Sequence, residues 1–351
     1  VNTQGRYGAM ARALSLRERL DLVRLWSVGS AASLPSAGDP DVLERSWRRA
    51  SGLSDDAIVA RRIRAEGATP EQFRAALTMD VESVLSKHGQ FPAWMGDLAR
   101  LSAEETRSER AAPIDEGPYA MLGLVDPLVQ AALPSVREAA QRVAQTMGVA
   151  PSGALGWLLP GLKTRLWSLV SRTAALELNV ARVNGTLHGP DAQTRFKSFA
   201  NQLRSPAMRS ALLEEYPVLF RLVWLTIQQW ADSCVEFLDR LAQDAPDISR
   251  TFGNGCDLGK VLHLEPDCGD RHNGGRSVVT VEFASGVRIA YKPRPLGAAA
   301  AFTGVVDWFN ARMDSVRLRS MRVLDRGIYG WTEYIAAEDC ACEEMVKRFY
   351  R

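Results

Sequence analysis

Lys292 ends the hairpin in a stretch whose residue types suit the handling of phosphate, Gly269 to Arg294, reading GDRHNGGRSVVTVEFASGVRIAYKPR. The stretch opens as a polar glycine-rich turn and continues as an alternation. Val279, Val281 and Phe283 are separated by Thr280 and Glu282, and Val287, Ile289 and Tyr291 by Arg288, Ala290 and Lys292, the period of two expected of half-buried strands. Ala284-Ser285-Gly286 is the turn between them. The alternation puts Lys292 on the face of Ala290 and away from Tyr291, so a small side chain neighbours the lysine and a flat ring would fit there. An ammonium on a flexible stem suits a polyanion, which makes Lys292 the first candidate for a contact to ATP phosphates, against the plain reading of a surface lysine on an edge strand.

The turn supplies the companions. Asp270 could organise a metal or orient a donor near the phosphates, although an Asp in a glycine-rich turn also serves to bond its own backbone. His272 can donate to a phosphate or bridge to a carboxylate, or stand solvated in its loop. Asn273, Gly274 and Gly275 can turn successive backbone N–H groups toward an anion, and the same residues make ordinary turns. Arg294 follows Pro293, which holds the chain extended, so its guanidinium is a candidate for phosphate or for a structural carboxylate. No metal site is expected from the cysteines, because Cys340-x-Cys342 lacks companion ligands at zinc spacing. His263, inside the apolar run Leu262-His263-Leu264, is expected to be a satisfied strand residue.

These residues need elements to position them. Residues 1 to about 250 carry helical patterns, and a β-rich lobe is expected over about 256 to 351. Ser15-x-x-Glu18 fits a capping box ahead of Leu16, Leu20 and Val23. Gly29 to Pro40 and Glu104 to Pro118 read as polar breaks, and helical periodicity resumes over Tyr119 to Val149. Val223, Ile227, Trp230, Cys234, Phe237 and Leu241 form one apolar helix face, with Asp232, Glu236 and Asp239 opposite. Glu177, Asn179 and Arg182 are expected to make polar contacts between helices. Pro246 and Gly253-Asn254-Gly255 are expected to end the helical part, and Leu258 to Leu264 to begin the strands. The fold class is therefore α+β. Trp331 and Tyr334, in the strand-like Tyr329 to Ile335, are expected to pack the lobe.

Composition bounds the partners. The 351 residues, 46% hydrophobic and 24% charged, describe a chain able to bury a large core. Lys+Arg number 43 against 41 Asp+Glu, so bulk charge makes no case for nucleic acid or an anionic membrane. Five irregularly spaced cysteines argue for reduced thiols and a cytoplasmic location. No stretch approaches the roughly 18 consecutive apolar residues of a membrane span. The chain begins with Val1 and stops at Arg351 within the helix-forming Glu343 to Tyr350, so a fragment is expected, although a non-ATG start would also explain the first residue.

Several strings together resemble one family, the class II lanthipeptide synthetases (LanM-type), in the first part of their dehydratase domain. They are Gly269 to Ser277, Tyr291-Lys292-Pro293-Arg294, Tyr329 to Ile335, Leu176-Glu177-Leu178-Asn179-Val180-Ala181-Arg182 and Glu215-Tyr216-Pro217-Val218-Leu219. The resemblance implies a helical scaffold over 1–250 and, over 256–351, the N-lobe of a lipid-kinase-like dehydratase whose C-lobe is missing. It implies ATP and Mg²⁺, a ribosomally made precursor peptide with a leader as partner, and phosphorylation of its Ser and Thr followed by phosphate elimination. Asp270, His272 and Lys292 would then be catalytic, and Lys292, Asn273, Gly274, Gly275 and Arg294 would meet the nucleotide. The strand Ile289-Ala290-Tyr291-Lys292 follows the logic of the lysine strand of protein kinases, where a glycine-rich loop covers the phosphates. By that analogy Glu343 or Glu344 would pair with Lys292.

The pattern also breaks. No Asp-x-His-x-x-Asn string occurs, and the metal ligands, the eliminating residues and the zinc-containing cyclase domain of the family are expected only beyond Arg351. The isolated chain is therefore expected to be inactive. The competing reading is a peptide- or protein-binding module with half a kinase-like lobe and no chemistry; a complete atypical kinase would need metal ligands the sequence does not present.

Overall fold

The computed structural model describes residues 3–29, 33–89, 91–103, 117–149, 151–313, 317–337 and 339–349. A mostly helical part precedes a five-stranded antiparallel sheet with helices, an α+β chain. It opens with α1 (Thr3–Ala11), α2 (Leu16–Gly29), α3 (Pro40–Ser51), α4 (Asp56–Ala65), α5 (Pro70–Thr78), α6 (Val81–His88) and α7 (Ala93–Ala103). A 3-10 helix, Gly117–Leu124, leads to α8 (Asp126–Met147), α9 (Pro151–Val183), α10 (Ala192–Gln202), α11 (Pro206–Glu215) and α12 (Pro217–Phe252). The remainder is β1 (Val261–Glu265), β2 (Val279–Phe283), β3 (Arg288–Lys292), α13 (Gly297–Asn310), β4 (Val323–Asp325), β5 (Gly330–Glu333) and α14 (Glu343–Phe349). The expected breaks fall partly on residues 30–32 and 104–116, which lie outside the described residues. Among the described residues no single helix is long and apolar enough to cross a membrane.

Local chemistry explains the helix starts. Ser15 and Glu18 form the expected box, with the Ser15 N–H donating to Glu18 Oε2 at 2.7 Å and the Glu18 N–H to Ser15 Oγ at 3.3 Å. Asp39 caps α3 ahead of Pro40, and Thr69 with Gln72 closes a second box ahead of Pro70. Each cap satisfies amide groups that the first turn of a helix cannot bond internally.

Two compact units divide the chain: Val1–Val129 with Leu166–Leu225, and Gln130–Arg165 with Thr226–Arg351. In the first, Val59, Ile63 and Phe73 form a small core, with Trp47 edge-on to Phe73 at 5.0 Å. Glu18 also accepts from the Trp94 indole at 2.8 Å and pairs with Arg221 at 2.7 Å. The Tyr216 hydroxyl, between α11 and α12, donates to Glu177 at 2.6 Å, which joins two of the strings singled out in the sequence, whereas Asn179 donates to the Ala175 carbonyl of its own helix at 3.0 Å instead of to another helix.

In the second unit the strands lie in the order β1-β2-β3-β5-β4. Val279 faces Tyr291, Val281 faces Ile289, and Tyr291 faces Trp331, so these side chains share one face of the sheet. That face packs on α12, where Phe237 lies 5.2 Å from the Tyr291 ring and 6.3 Å from the Trp331 ring. The expected apolar stripe from Val223 to Leu241 is buried throughout, and burying a Trp such as Trp331 in this way is worth about 3–5 kcal/mol against Ala. Asp244 is 2% exposed on the same helix and accepts from the Trp331 indole at 2.8 Å, while Arg326 reaches it at 2.9 Å.

Three expectations need correction. Pro246 lies inside α12 instead of ending it; the helix stops at Gly253, where a Cβ would stand 2.5 Å from the backbone oxygens of Ser249 and Cys256. His263 is exposed: it pairs with Glu282 on the face of β1 opposite the buried Leu264 and lies edge-on to Trp157 at 5.6 Å, while the register shift between Val261 and His263 brings Val261 onto the buried face. Glu236, assigned to the polar face of its helix, is half-buried in a network of charges described next.

Candidate functional site

The glycine-rich segment is the connection between β1 and β2. It leaves the sheet after Glu265 and returns at Val279, and Val279 pairs with Tyr291, so the segment and Lys292 lie at the same end of the sheet. Within it, His272 and Arg276 exchange two backbone hydrogen bonds, 2.9 and 3.0 Å, closing a tight hairpin on Asn273, Gly274 and Gly275. All three carry positive φ, at 43, 83 and 85°. Glycine meets that requirement without the cost a side chain incurs. The N–H groups of Asn273, Gly274 and Gly275 donate to no acceptor among the described residues.

Two anchors hold this connection within the unit. Arg276 forms a fork with Glu236 of α12, its Nε lying 2.9 and 3.0 Å from the two carboxylate oxygens and its Nη2 2.5 Å from Oε2, and it also donates to the carbonyl of Asn273. Asp267, at φ 61°, accepts from Arg165 of α9 at 2.5 Å and from the Ser277 hydroxyl at 3.0 Å, with Arg271 at 3.3 Å. A small cavity of about 30 Å³ lies beside these anchors, lined by Arg165, Cys234, Phe237, Asp267, Ser277 and Tyr291. Burial pushes the Cys234 thiol up to about 12. Gly275 rests against α12, where a Cβ would stand 3.2 Å from Cβ of Gln229.

Glu236 has a second set of partners. Arg240, one turn on, pairs with it and donates to the Tyr291 hydroxyl at 2.6 Å; that hydroxyl donates to Glu236 at 3.4 Å. Arg240 also lies 4.1 Å over the Tyr329 ring. The hydrogen bonds from Arg276, aided by the charge of Arg240, hold the Glu236 carboxyl below its usual range, while burial pushes the Tyr291 phenol up to about 12.

Lys292 emerges from the opposite face of the sheet. It pairs with Gly330 across β5, and its face carries Ala290, Thr280 and Thr332 in one row. The alternation read from the sequence holds, but the room expected beside Ala290 is closed: Thr280, Ala290 and Thr332 are 3, 8 and 1% exposed. Lys292 itself is half-buried and has no carboxylate partner among the described residues. Burial, and then the charge of Arg294, lowers its pKa.

The other expected site residues fall as follows. Asp270 and His272 are exposed, and their side chains make no hydrogen bond or ion pair with Lys292 or with any other described residue. Arg294 is exposed, its N–H bonded to the Lys292 carbonyl at 2.8 Å. The pairing of Lys292 with Glu343 or Glu344 does not form: Glu343 pairs with Lys347 one turn along α14 at 2.9 Å, and the helix joining β3 to β4 is α13, whose one acidic residue is Asp307. Cys340 and Cys342 are exposed free thiols. Trp331 is fully buried, and Tyr334 lies 4.0 Å from the Arg288 guanidinium, as packing residues should.

Sequence reasoning did not find Glu236, Arg240 and Arg276 as a group. Glu236 and Arg240 stand four apart on one helix, a spacing so common on solvated faces that it carried no signal; only the fold brings Arg276 from 40 residues away. Residues 216–351 match a family model described as a domain of unknown function (DUF4135). No curated protein matches the chain. The matched segment contains α12, the glycine-rich connection and Lys292.

Proposed function

We propose that this chain is the nucleotide-handling part of an enzyme that dehydrates Ser and Thr of a precursor peptide, by ATP-dependent phosphorylation and then elimination of phosphate. One observation carries the reading: strand, glycine-rich connection, strand and strand lysine follow in the order and at the sheet end that protein kinases use, where the loop covers the phosphates and the third strand supplies the lysine. A half-buried ammonium without a protein carboxylate is a site short of an anion, and the free N–H groups of Asn273, Gly274 and Gly275 add donors of the kind that bind phosphate. Resemblance to the lanthipeptide dehydratases supports the choice of substrate.

ATP supplies the phosphoryl group that turns a poor leaving group, hydroxide, into a good one. Within this chain, Lys292 holds the nucleotide phosphates by charge, the hairpin amides cradle them, and Arg294 adds positive potential at the same strand end. Asp270 and His272, exposed beside the hairpin, are placed to meet substrate or solvent without first breaking a bond to the protein. Among the described residues no set of three His, Cys, Asp or Glu side chains converges to hold a metal ion; a magnesium ion on ATP would be held by one or two carboxylates together with the phosphates.

A second reading is favoured by that same exposure of Asp270 and His272, neither of which is drawn toward Lys292. It is a peptide-binding module with a kinase-like lobe and no chemistry. Equilibrium binding of MgATP and of a Ser/Thr-containing precursor peptide to the chain separates the two. MgATP binding that is lost in Lys292→Ala is expected; a bound peptide with no binding of MgATP would favour the module.

A further inference from the structure

The glycine-rich connection and the lysine strand are tied to one carboxylate. Arg276 of the hairpin forks onto Glu236, and Tyr291, the residue before Lys292, bonds to Glu236 directly at 3.4 Å and through Arg240 at 2.6 Å. We infer that Glu236 is a positioning residue for the phosphate site, fixing the hairpin relative to Lys292 through Arg276 on one side and Tyr291 on the other. This inference rests on the phosphate reading above.

The geometry favours a positioning role over a general contribution to packing. The Arg276 fork fixes direction as well as distance, which a single contact does not. Arg276 also donates to the Asn273 carbonyl, so the guanidinium that binds Glu236 holds the hairpin tip where the three free N–H groups lie. On the strand side the anchor is the neighbour of Lys292, pinned by a ring buried against Phe237. Loosening Glu236 would therefore let the hairpin move relative to the ammonium while the apolar face of the sheet stays packed. Glu236 touches no reacting atom in this scheme.

Calorimetric titration of MgATP into the whole chain tests this, with thermal melts to show that each variant is folded. Lys292→Ala is expected to abolish binding. Glu236→Gln and Arg276→Gln should each weaken it about 5- to 20-fold, and the double variant should be no more than about twofold weaker than the worse single one, because both remove one interaction. Arg276→Lys keeps the charge but loses the fork, and should fall between wild type and Arg276→Gln. It also serves if a glutamine variant does not fold. Loss of binding in Lys292→Ala with wild-type affinity in Glu236→Gln, Arg276→Gln and Arg276→Lys would overturn the inference and leave the phosphate reading standing. Wild-type affinity in Lys292→Ala, or no MgATP binding by the wild-type chain, would overturn both.

Discussion

Asp244→Ala removes the carboxylate that joins α12 to β5. Asp244 is 2% exposed, accepts from the indole of the fully buried Trp331 at 2.8 Å, and pairs with Arg326 at 2.9 Å. A hydrogen bond to a charged group contributes about 1.5–3 kcal/mol, and a buried donor left without an acceptor costs about 1–3 kcal/mol. The two overlap, since both describe the Trp331 N–H, and Arg326 keeps Asp247 as a partner. Ending the burial of the Asp244 charge also returns part of the loss, so the net destabilisation is about 2–4 kcal/mol. For a domain of 150–250 residues each kcal/mol lowers the melting temperature by about 2–4 °C, which gives a fall of about 4–16 °C. Thermal melts followed by far-ultraviolet circular dichroism and by tryptophan fluorescence would measure it. Asp247→Ala, at the half-buried end of the same network, is expected to give less than a third of that shift. Equal shifts for the two variants, or a fall below about 2 °C for Asp244→Ala, would refute the claim that this buried carboxylate ties the helix to the sheet.

Gly275→Ala should cost about 2–3 kcal/mol in urea unfolding, since it meets both a positive φ and a neighbour at 3.2 Å, whereas Gly286→Ala, at φ 81° with open space around it, should cost about 1 kcal/mol. Cys234 stays protonated at pH 8, its thiol pushed up to about 12, so a thiol reagent should modify Cys256, Cys268, Cys340 and Cys342 in the native protein and reach Cys234 only on unfolding. The Glu236 carboxyl is held below its usual value chiefly by Arg276, so its contribution to stability is present above the unfolded value near about 4.3 and is lost as pH falls through the lowered one. Melting temperatures measured from pH 6 to pH 3 should therefore drop more steeply for wild type than for Glu236→Gln.

Much of the fold was legible because its signals are local. The Ser15-Glu18 box and the stripe from Val223 to Leu241 each follow from the sequence within one element, and the alternation around Ala284-Ser285-Gly286 follows within one hairpin; all three are present. What failed was decided at longer range. Pro246 reads as a stop on propensity alone, yet α12 continues past it, held by Asp244 and Ile248, which are buried. A single residue of register shift puts both Val261 and Leu264 on the buried face and leaves His263 on the other, which the run Leu262-His263-Leu264 did not reveal. The partner of Glu236 could not be read because its arginine lies in a different element, and the closed row at Thr280, Ala290 and Thr332 could not be read because it spans three strands. Lys292, placed by alternation within its own strand, was the most legible part of the candidate site.

Whether Lys292 meets nucleotide phosphate is tested most directly by an ATP analogue that acylates lysine next to its bound phosphates, with the modified residue identified by peptide mass spectrometry. Labelling at Lys292 that excess MgATP suppresses is the expected result. Labelling confined to other lysines, or labelling of Lys292 that MgATP leaves unchanged, would contradict it.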